Sequence, residues 1–272
     1  VDGRQILHFV IGDKEASRKI LITGGIHARE YITCQLVMKQ TVSFLEHLSN
    51  GDSYVDISYE DLLRDTAVHV ICMVNPDGIS ISQLGLDGVQ TDAVRENLSQ
   101  IAQLDGASLA DSTYLKRWKA NANGVDLNRN FDALWDSYAD PAGHPSSDHY
   151  KGTAPGYEIE SAALIQLTLQ QQFTRTISYH TQGDVIYWYF GQEGDLYDQT
   201  LSFANTIAAT TGYPLDADYQ SLDPAGYKDW AIQNQGIPSL TIEVGLQDSP
   251  VPAEQFATIW AENQFVWEET LK

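Results

Sequence analysis

Apolar residues recur along the chain in two periods. Short apolar runs of about four to eight residues, the length of buried strands, occur at residues 5–11, 19–23, 67–74, 176–180, 185–190 and 240–244. Between them lie stretches with helical spacing. Residues 31–48 carry Ile32, Leu36, Val37, Thr41 and Phe44 on one face, a helix that packs against a sheet. Helices are also predicted at 91–104, 196–210 and 253–271, with a short one at 59–64. The run from Ala67 to Val74 is continuously apolar, as in a central strand covered on both faces. It stops at Asn75-Pro76-Asp77-Gly78, a strong turn signal. Residues 79–123 are more weakly patterned and read as a long excursion over one face. Strands alternating with helices predict an α/β sheet with helices on both sides. With no repeat, linker or low-complexity stretch, residues 1–272 are expected to form one domain.

Composition narrows the function. A 43% hydrophobic content over 272 residues is ordinary for a globular chain. No run approaches the roughly 18 apolar residues of a membrane span, so none is expected. The chain opens at Val1 without Met or a targeting stretch, which reads as a processed product. The 37 acidic and 16 basic residues give a formal charge of −21, which argues against nucleic acid and anionic membrane as partners. Cys34 and Cys72 are too few for a disulfide framework and are expected as buried free thiols.

Polar residues then gather where ligands collect in open α/β sheets, at the carboxyl ends of strands. Gly24-Gly25-Ile26-His27-Ala28-Arg29-Glu30 joins a strand to a helix, and its glycines allow a sharp turn. His27 and Glu30 can both turn onto one cation, offering ligand types that zinc accepts. His180 closes the strand at 176–180 and completes a His2Glu set. Three protein ligands leave a coordination position open, the composition of a catalytic site. Gly124-Val125-Asp126-Leu127-Asn128-Arg129-Asn130-Phe131 is a dense polar run. Asp126 can accept the second N–H of a ligand histidine, and Asn128 with Arg129 can hold a carboxylate. Glu243 ends an apolar strand; buried beside an activated water it would be a general base. The remaining histidines, His8, His47, His69, His144 and His149, lack a partner pattern and are assigned to structure or surface.

In this order, His27-x-x-Glu30, Asn75–Gly78, Gly124–Phe131, His180 and Glu243 resemble the zinc carboxypeptidases over most of the chain. The resemblance implies a three-layer α/β/α domain around a mixed, mainly parallel sheet of about eight strands. It implies one Zn2+ per chain on His27, Glu30 and His180. Glu243 would be the general base for a metal-activated water, Asp126 the partner of His27, and Asn128/Arg129 the clamp for a terminal carboxylate. Within the family, Trp118-Lys119-Ala120-Asn121, Tyr179–Gly183, Ile186–Trp188 and Gly226–Trp230 look like the bacterial γ-D-glutamyl-L-diamino acid peptidases. That implies a peptidoglycan stem peptide as substrate, cut between D-isoglutamate and meso-diaminopimelate. A monomer, secreted or associated with the cell envelope, is expected, with cytoplasmic recycling as the other setting.

Two departures and one specificity clue complete the reading. Many relatives carry Arg where this chain has Asn123, so Asn123 would polarise the scissile carbonyl unless Arg117, Lys119 or zinc alone does so. Tyr219, followed by Gln220 and Ser221, fits the mobile tyrosine that closes over substrate, with Tyr227 as competitor. Lys228, two residues before Trp230, stands where relatives read the leaving side chain, and a cation there suits a distal carboxylate. The rival readings are a carboxypeptidase for ordinary peptides, a zinc acylase, and a wall-binding protein that has lost catalysis.

Overall fold

The structure is a computed structural model that describes residues 1–219 and 223–272. Gln220 and Ser221, the residues expected after the closing tyrosine, lie outside the described residues. In chain order, β1 (Phe9–Ile11) and β2 (Arg18–Thr23) lead into α1 (Ile32–Asn50). A small hairpin, β3 (Ser53–Tyr54) and β4 (Ile57–Ser58), and the turn of helix α2 (Tyr59–Leu62) precede β5 (Thr66–Ile71). The excursion carries α3 (Pro76–Leu84), α4 (Asp92–Leu104) and α5 (Ser112–Lys116), and ends at α6 (Ile159–Gln171). Then come β6 (Arg175–His180), β7 (Val185–Tyr187), α7 (Gly194–Thr211) and β8 (Leu215–Asp216). The chain finishes with α8 (Tyr227–Gln235), β9 (Ser239–Glu243), α9 (Phe256–Asn263) and α10 (Val266–Leu271).

Seven strands form the main sheet in the order β1-β5-β2-β6-β9-β7-β8, where about eight were expected. The pairs β5–β2, β2–β6, β6–β9 and β7–β8 are parallel; β1–β5 and β9–β7 are antiparallel. The two-residue alternation of strands divides the core. Ile20, Ile22, Val68, Val70, Ile177, Tyr179, Leu240 and Ile242 pack against α1, α7, α9 and α10 through Leu36, Phe44, Phe203, Ile259 and Trp267. Leu21 and Ile71 face the other way, towards Leu127, Phe131, Leu164 and Trp230. A third cluster, with Ile81, Leu98, Leu115 and Trp118, is the excursion's own core. Helices on both faces of a mixed sheet are the architecture the alternating pattern predicts. Among the described residues no helix is long and apolar enough to cross a membrane.

Several boundaries differ from the sequence reading for identifiable reasons. Asn75-Pro76-Asp77-Gly78 starts a helix: Asn75 caps α3, its Oδ1 accepting from Gly78 N at 3.0 Å, and Pro76 has no N–H to lose in the first turn. The stretch 253–271 is two helices with a break between Asn263 and Val266. Helices α6 and α8 were not anticipated. In α8 the residues Tyr227 to Ile232 are all buried, Lys228 and Asp229 included, so no polar face marks the helical period.

Candidate active site

The parallel pairing of β6 and β9 sets His180 opposite Glu243, both at carboxyl ends. Leu240 and Ile242 point into the core, so alternation turns Thr241 and Glu243 the other way. The β2–α1 connection brings in His27 and Glu30. Gly25 takes φ +65°, and a Cβ there would collide with Cys34 Sγ, so the sharp turn requires glycine. Asn75 pins the loop from behind, donating from Nδ2 to Ile26 O and Ala120 O, each at 3.1 Å.

His27, Glu30 and His180 are all buried and converge. His27 Nδ1 lies 2.9 Å from Glu30 Oε1, and His180 Nδ1 lies 3.2 Å from both His27 Nδ1 and Glu30 Oε2. Zinc with nitrogen and oxygen ligands at its usual bond lengths spans ligand–ligand edges of about 3.3 Å, so the donor atoms fit that ion. The supporting contacts fix the ligands. His27 Nε2 is 3.1 Å from Asp126 Oδ1, and Thr181 N donates to Glu30 Oε2 at 3.1 Å. Burial works to raise the Asp126 pKa, but the charges of Lys119 and His27 outweigh it and hold the group well below the carboxylate range. Lys119 Nζ sits 2.9 Å from Asp126 Oδ2 and 3.1 Å from Asp148 Oδ1.

A cavity of about 110 Å³ adjoins the trio, lined by Asn128, Arg129, Tyr187, Phe190, Tyr219, Asp223, Lys228, Asp229, Thr241 and Glu243. Glu243 Oε2 is buried and has no hydrogen-bond partner among the described residues. Burial pushes the Glu243 carboxyl up to about 7, with the Glu30 charge adding to the rise and His180 opposing it. Arg129 Nε is likewise buried without a partner, while its Nη2 stands 3.7 Å from Asp223 Oδ2. Asn128 and Arg129 are carried on a short 3-10 turn capped by Asp126, whose Oδ1 accepts from Asn128 N at 3.1 Å. Asn128 Oδ1 accepts from Tyr227 N at 3.0 Å, which joins the turn to α8.

Of the residues singled out in the sequence, the structure thus brings together His27, Glu30, His180, Asp126, Glu243, Asn128, Arg129, Tyr219 and Lys228. Tyr219 is half-buried and packs edge-on against Tyr189 and Phe190. Three residues stand elsewhere. Asn123 turns its side chain away, Nδ2 donating to Glu158 Oε2 at 2.8 Å, and lines a separate hollow. Tyr227 is 1% exposed, its hydroxyl 2.8 Å from Thr168 Oγ1 and its ring against Phe131 and Trp230, so it is a core residue. Arg117 meets Asp248 at the surface. Lys228 is an ion-pair member: its Nζ lies 2.6 Å from Asp229 Oδ1 and donates to Tyr189 O at 3.3 Å. Asp223 and Asp229, two carboxylates in the cavity wall, went unread. Asp229 adjoins Lys228 in sequence, a readable signal; Asp223 is brought in by the fold alone.

A buried His2Glu trio with an adjoining carboxylate at the carboxyl ends of the strands has the composition of a zinc site that activates water. The zinc carboxypeptidase profile matches residues 1–266, and the chain belongs to that family. It is 33% identical over 261 residues to γ-D-glutamyl-L-diamino acid endopeptidase 1 of Lysinibacillus sphaericus, covering 96% of this chain and 62% of the relative's length. It is 29% identical over 270 residues to the uncharacterised protein YqgT of Bacillus subtilis, covering 97% of this chain and 68% of the relative. The crystal structure of thrombin-activatable fibrinolysis inhibitor shares the fold, with a TM-score of 0.72 and 20% identity over 98% of this chain and 65% of that one.

Proposed function

We propose that this zinc peptidase hydrolyses peptidoglycan stem peptides at the γ-D-glutamyl–meso-diaminopimelate bond, in the cell envelope or the surrounding medium. One observation carries the reading: a single cavity beside the ligand trio offers a carboxylate base, a carboxylate clamp and a charged pair for the leaving side chain. The Lysinibacillus relative, named for cleavage beside a diamino acid, supports the same substrate class.

The chain's residues divide the work as follows. When bound, zinc supplies Lewis acidity and lowers the pKa of a coordinated water. Glu243, in a desolvated position that favours proton uptake, accepts the proton from the attacking water and passes it to the leaving amine. Arg129, with a free Nε, and Asn128 hold the terminal carboxylate of the leaving residue and so orient the scissile bond. Lys228 and Asp229 together present an ammonium and a carboxylate, which suits the distal end of a diaminopimelate side chain. Tyr219, on the cavity wall, excludes water on one side. Asp126 holds His27 in the orientation that points Nδ1 at the metal.

The test is incubation of zinc-loaded protein with L-Ala-γ-D-Glu-meso-diaminopimelate, read by mass spectrometry, with Glu243→Gln beside it. Release of diaminopimelate, lowered about 10²–10⁴-fold in the variant, is the expected result. Hydrolysis of ordinary C-terminal peptides without diaminopimelate release would instead establish the second reading, a carboxypeptidase, which the Asn128/Arg129 pair favours.

A further inference from the structure

At the opposite end of the sheet, three cations of this acid-rich chain meet. Arg18 opens β2 and Arg175 opens β6. Arg175 stands in register with Ile20, so Arg18, two residues before Ile20, leans towards the same face. They line a hollow of about 570 Å³ with Thr174, Asp198, Gln199, Ser202, Pro238 and Lys272.

Arg175 is fixed in place. Its Nη1 donates to Thr270 O at 2.8 Å and its guanidinium stacks over Phe203 at 4.9 Å from the ring centre. Burial lowers its pKa and the charge of Arg18 lowers it further, so the pair repels itself. Among the described residues neither arginine has a carboxylate within ion-pair distance. Asp198 is on the wall but outside that distance, and Lys272 leans on Glu269. Arg4, Arg29, Arg64, Arg117 and Arg129 each have a carboxylate within that distance, whereas Arg18 and Arg175 lie side by side without one.

We propose that this hollow binds a phosphate group, free or as a phosphoester. The donors approach from separate directions: β2, β6, and α7 through Gln199 and Ser202. A planar carboxylate is satisfied by one guanidinium fork, whereas a tetrahedral dianion has oxygens for both forks and for neutral donors beside them. Binding would also relieve the Arg18–Arg175 repulsion. The site lies a strand length, about 20 Å, from the ligand trio, so it is separate from the peptidase cavity and independent of the substrate reading.

The experiment titrates ¹⁵N-labelled, zinc-loaded protein with sodium phosphate, against sodium chloride at equal ionic strength, and repeats it with glycerol 3-phosphate. The expected result is saturable shifts at Arg18, Arg175 and Ser202, with affinity weakened about tenfold or more in Arg18→Gln and Arg175→Gln. Tighter saturation by glycerol 3-phosphate assigns a phosphoester, and tighter saturation by phosphate assigns the free ion. Shifts that do not saturate, that chloride reproduces, that fall only around Arg129, or that persist unchanged in Arg18→Gln overturn the proposal. Among the described residues the half-buried Arg18 side chain has no hydrogen-bond or ion-pair partner, so Arg18→Gln is expected to fold even where Arg175→Gln does not.

Discussion

Asp126 has no accessible surface, yet it carries a full charge between His27 and Lys119. Its value to the site is orientation: one oxygen accepts from His27 Nε2 and so commits Nδ1 to the metal. Asp126→Ala is therefore expected to weaken zinc binding about 10–100-fold, measured by competition with a chromophoric chelator. Unchanged affinity would reduce Asp126 to a cap for the 128–129 turn. Lys228 poses a different question, because its charge is already matched by Asp229. A matched pair still discriminates, since the substrate's carboxylate and ammonium replace each other's partners. Lys228→Met should lower kcat/KM for the diaminopimelate tripeptide about tenfold or more relative to the lysine tripeptide. The ratio of the two substrates is insensitive to any loss of folded protein, and an unchanged ratio would remove Lys228 from specificity.

At the scale of elements, the site depends on how strands hand over to helices. Asn75 caps α3 with Oδ1 and ties the loops at Ile26 and Ala120 with Nδ2, all while fully buried. Asn75→Ala removes the cap and leaves two carbonyls unpaired, a loss of about 2 kcal/mol or more in urea unfolding. A loss of only a few tenths would mean that water replaces the amide. Most of what places the site was legible from such positions. The apolar runs ending in His180 and Glu243 announced two strand ends, and the glycines before His27 announced the turn. What stayed hidden had no local period. The first turns of helix α8, Tyr227 to Ile232, are buried throughout, so the pattern did not separate Lys228, which faces the cavity, from Tyr227, the competitor for the closing tyrosine, which faces the core. Asn123 was misjudged for a related reason: its sequence neighbourhood points to the site, but Glu158, 35 residues on, claims its amide.

Across the whole molecule, Leu127 and Phe131, beside Asn128 and Arg129, pack on the sheet itself, whereas helices α3, α4 and α5 have a core of their own and must be fastened to it. The segment before β1 does part of this. Asp2 accepts from Gln90 N, Thr91 N and Thr91 Oγ1 at 2.7–2.9 Å, while Arg4 bridges Asp77 and Gly88 O. Burial alone would raise the Asp2 pKa, but the donors from Gln90 and Thr91, with Arg4, more than offset it and leave it lowered. A carboxylate with a lower pKa folded than unfolded contributes its full stabilisation above the unfolded value. That contribution fades as pH falls from about 4 through the folded pKa. The expected outcome is a difference in unfolding free energy between the protein and Asp2→Asn that is constant at neutral pH and shrinks in acid. Taking the difference cancels the titration of the zinc ligands, which both proteins share. A difference that stays constant down to pH values where both proteins unfold would show that hydrogen bonding, not charge, fastens this segment. In that case, the acid sensitivity of the active-site excursion must arise elsewhere, with Asp105 next in line: burial works against it, but Tyr114 and Ser147 hold its pKa down.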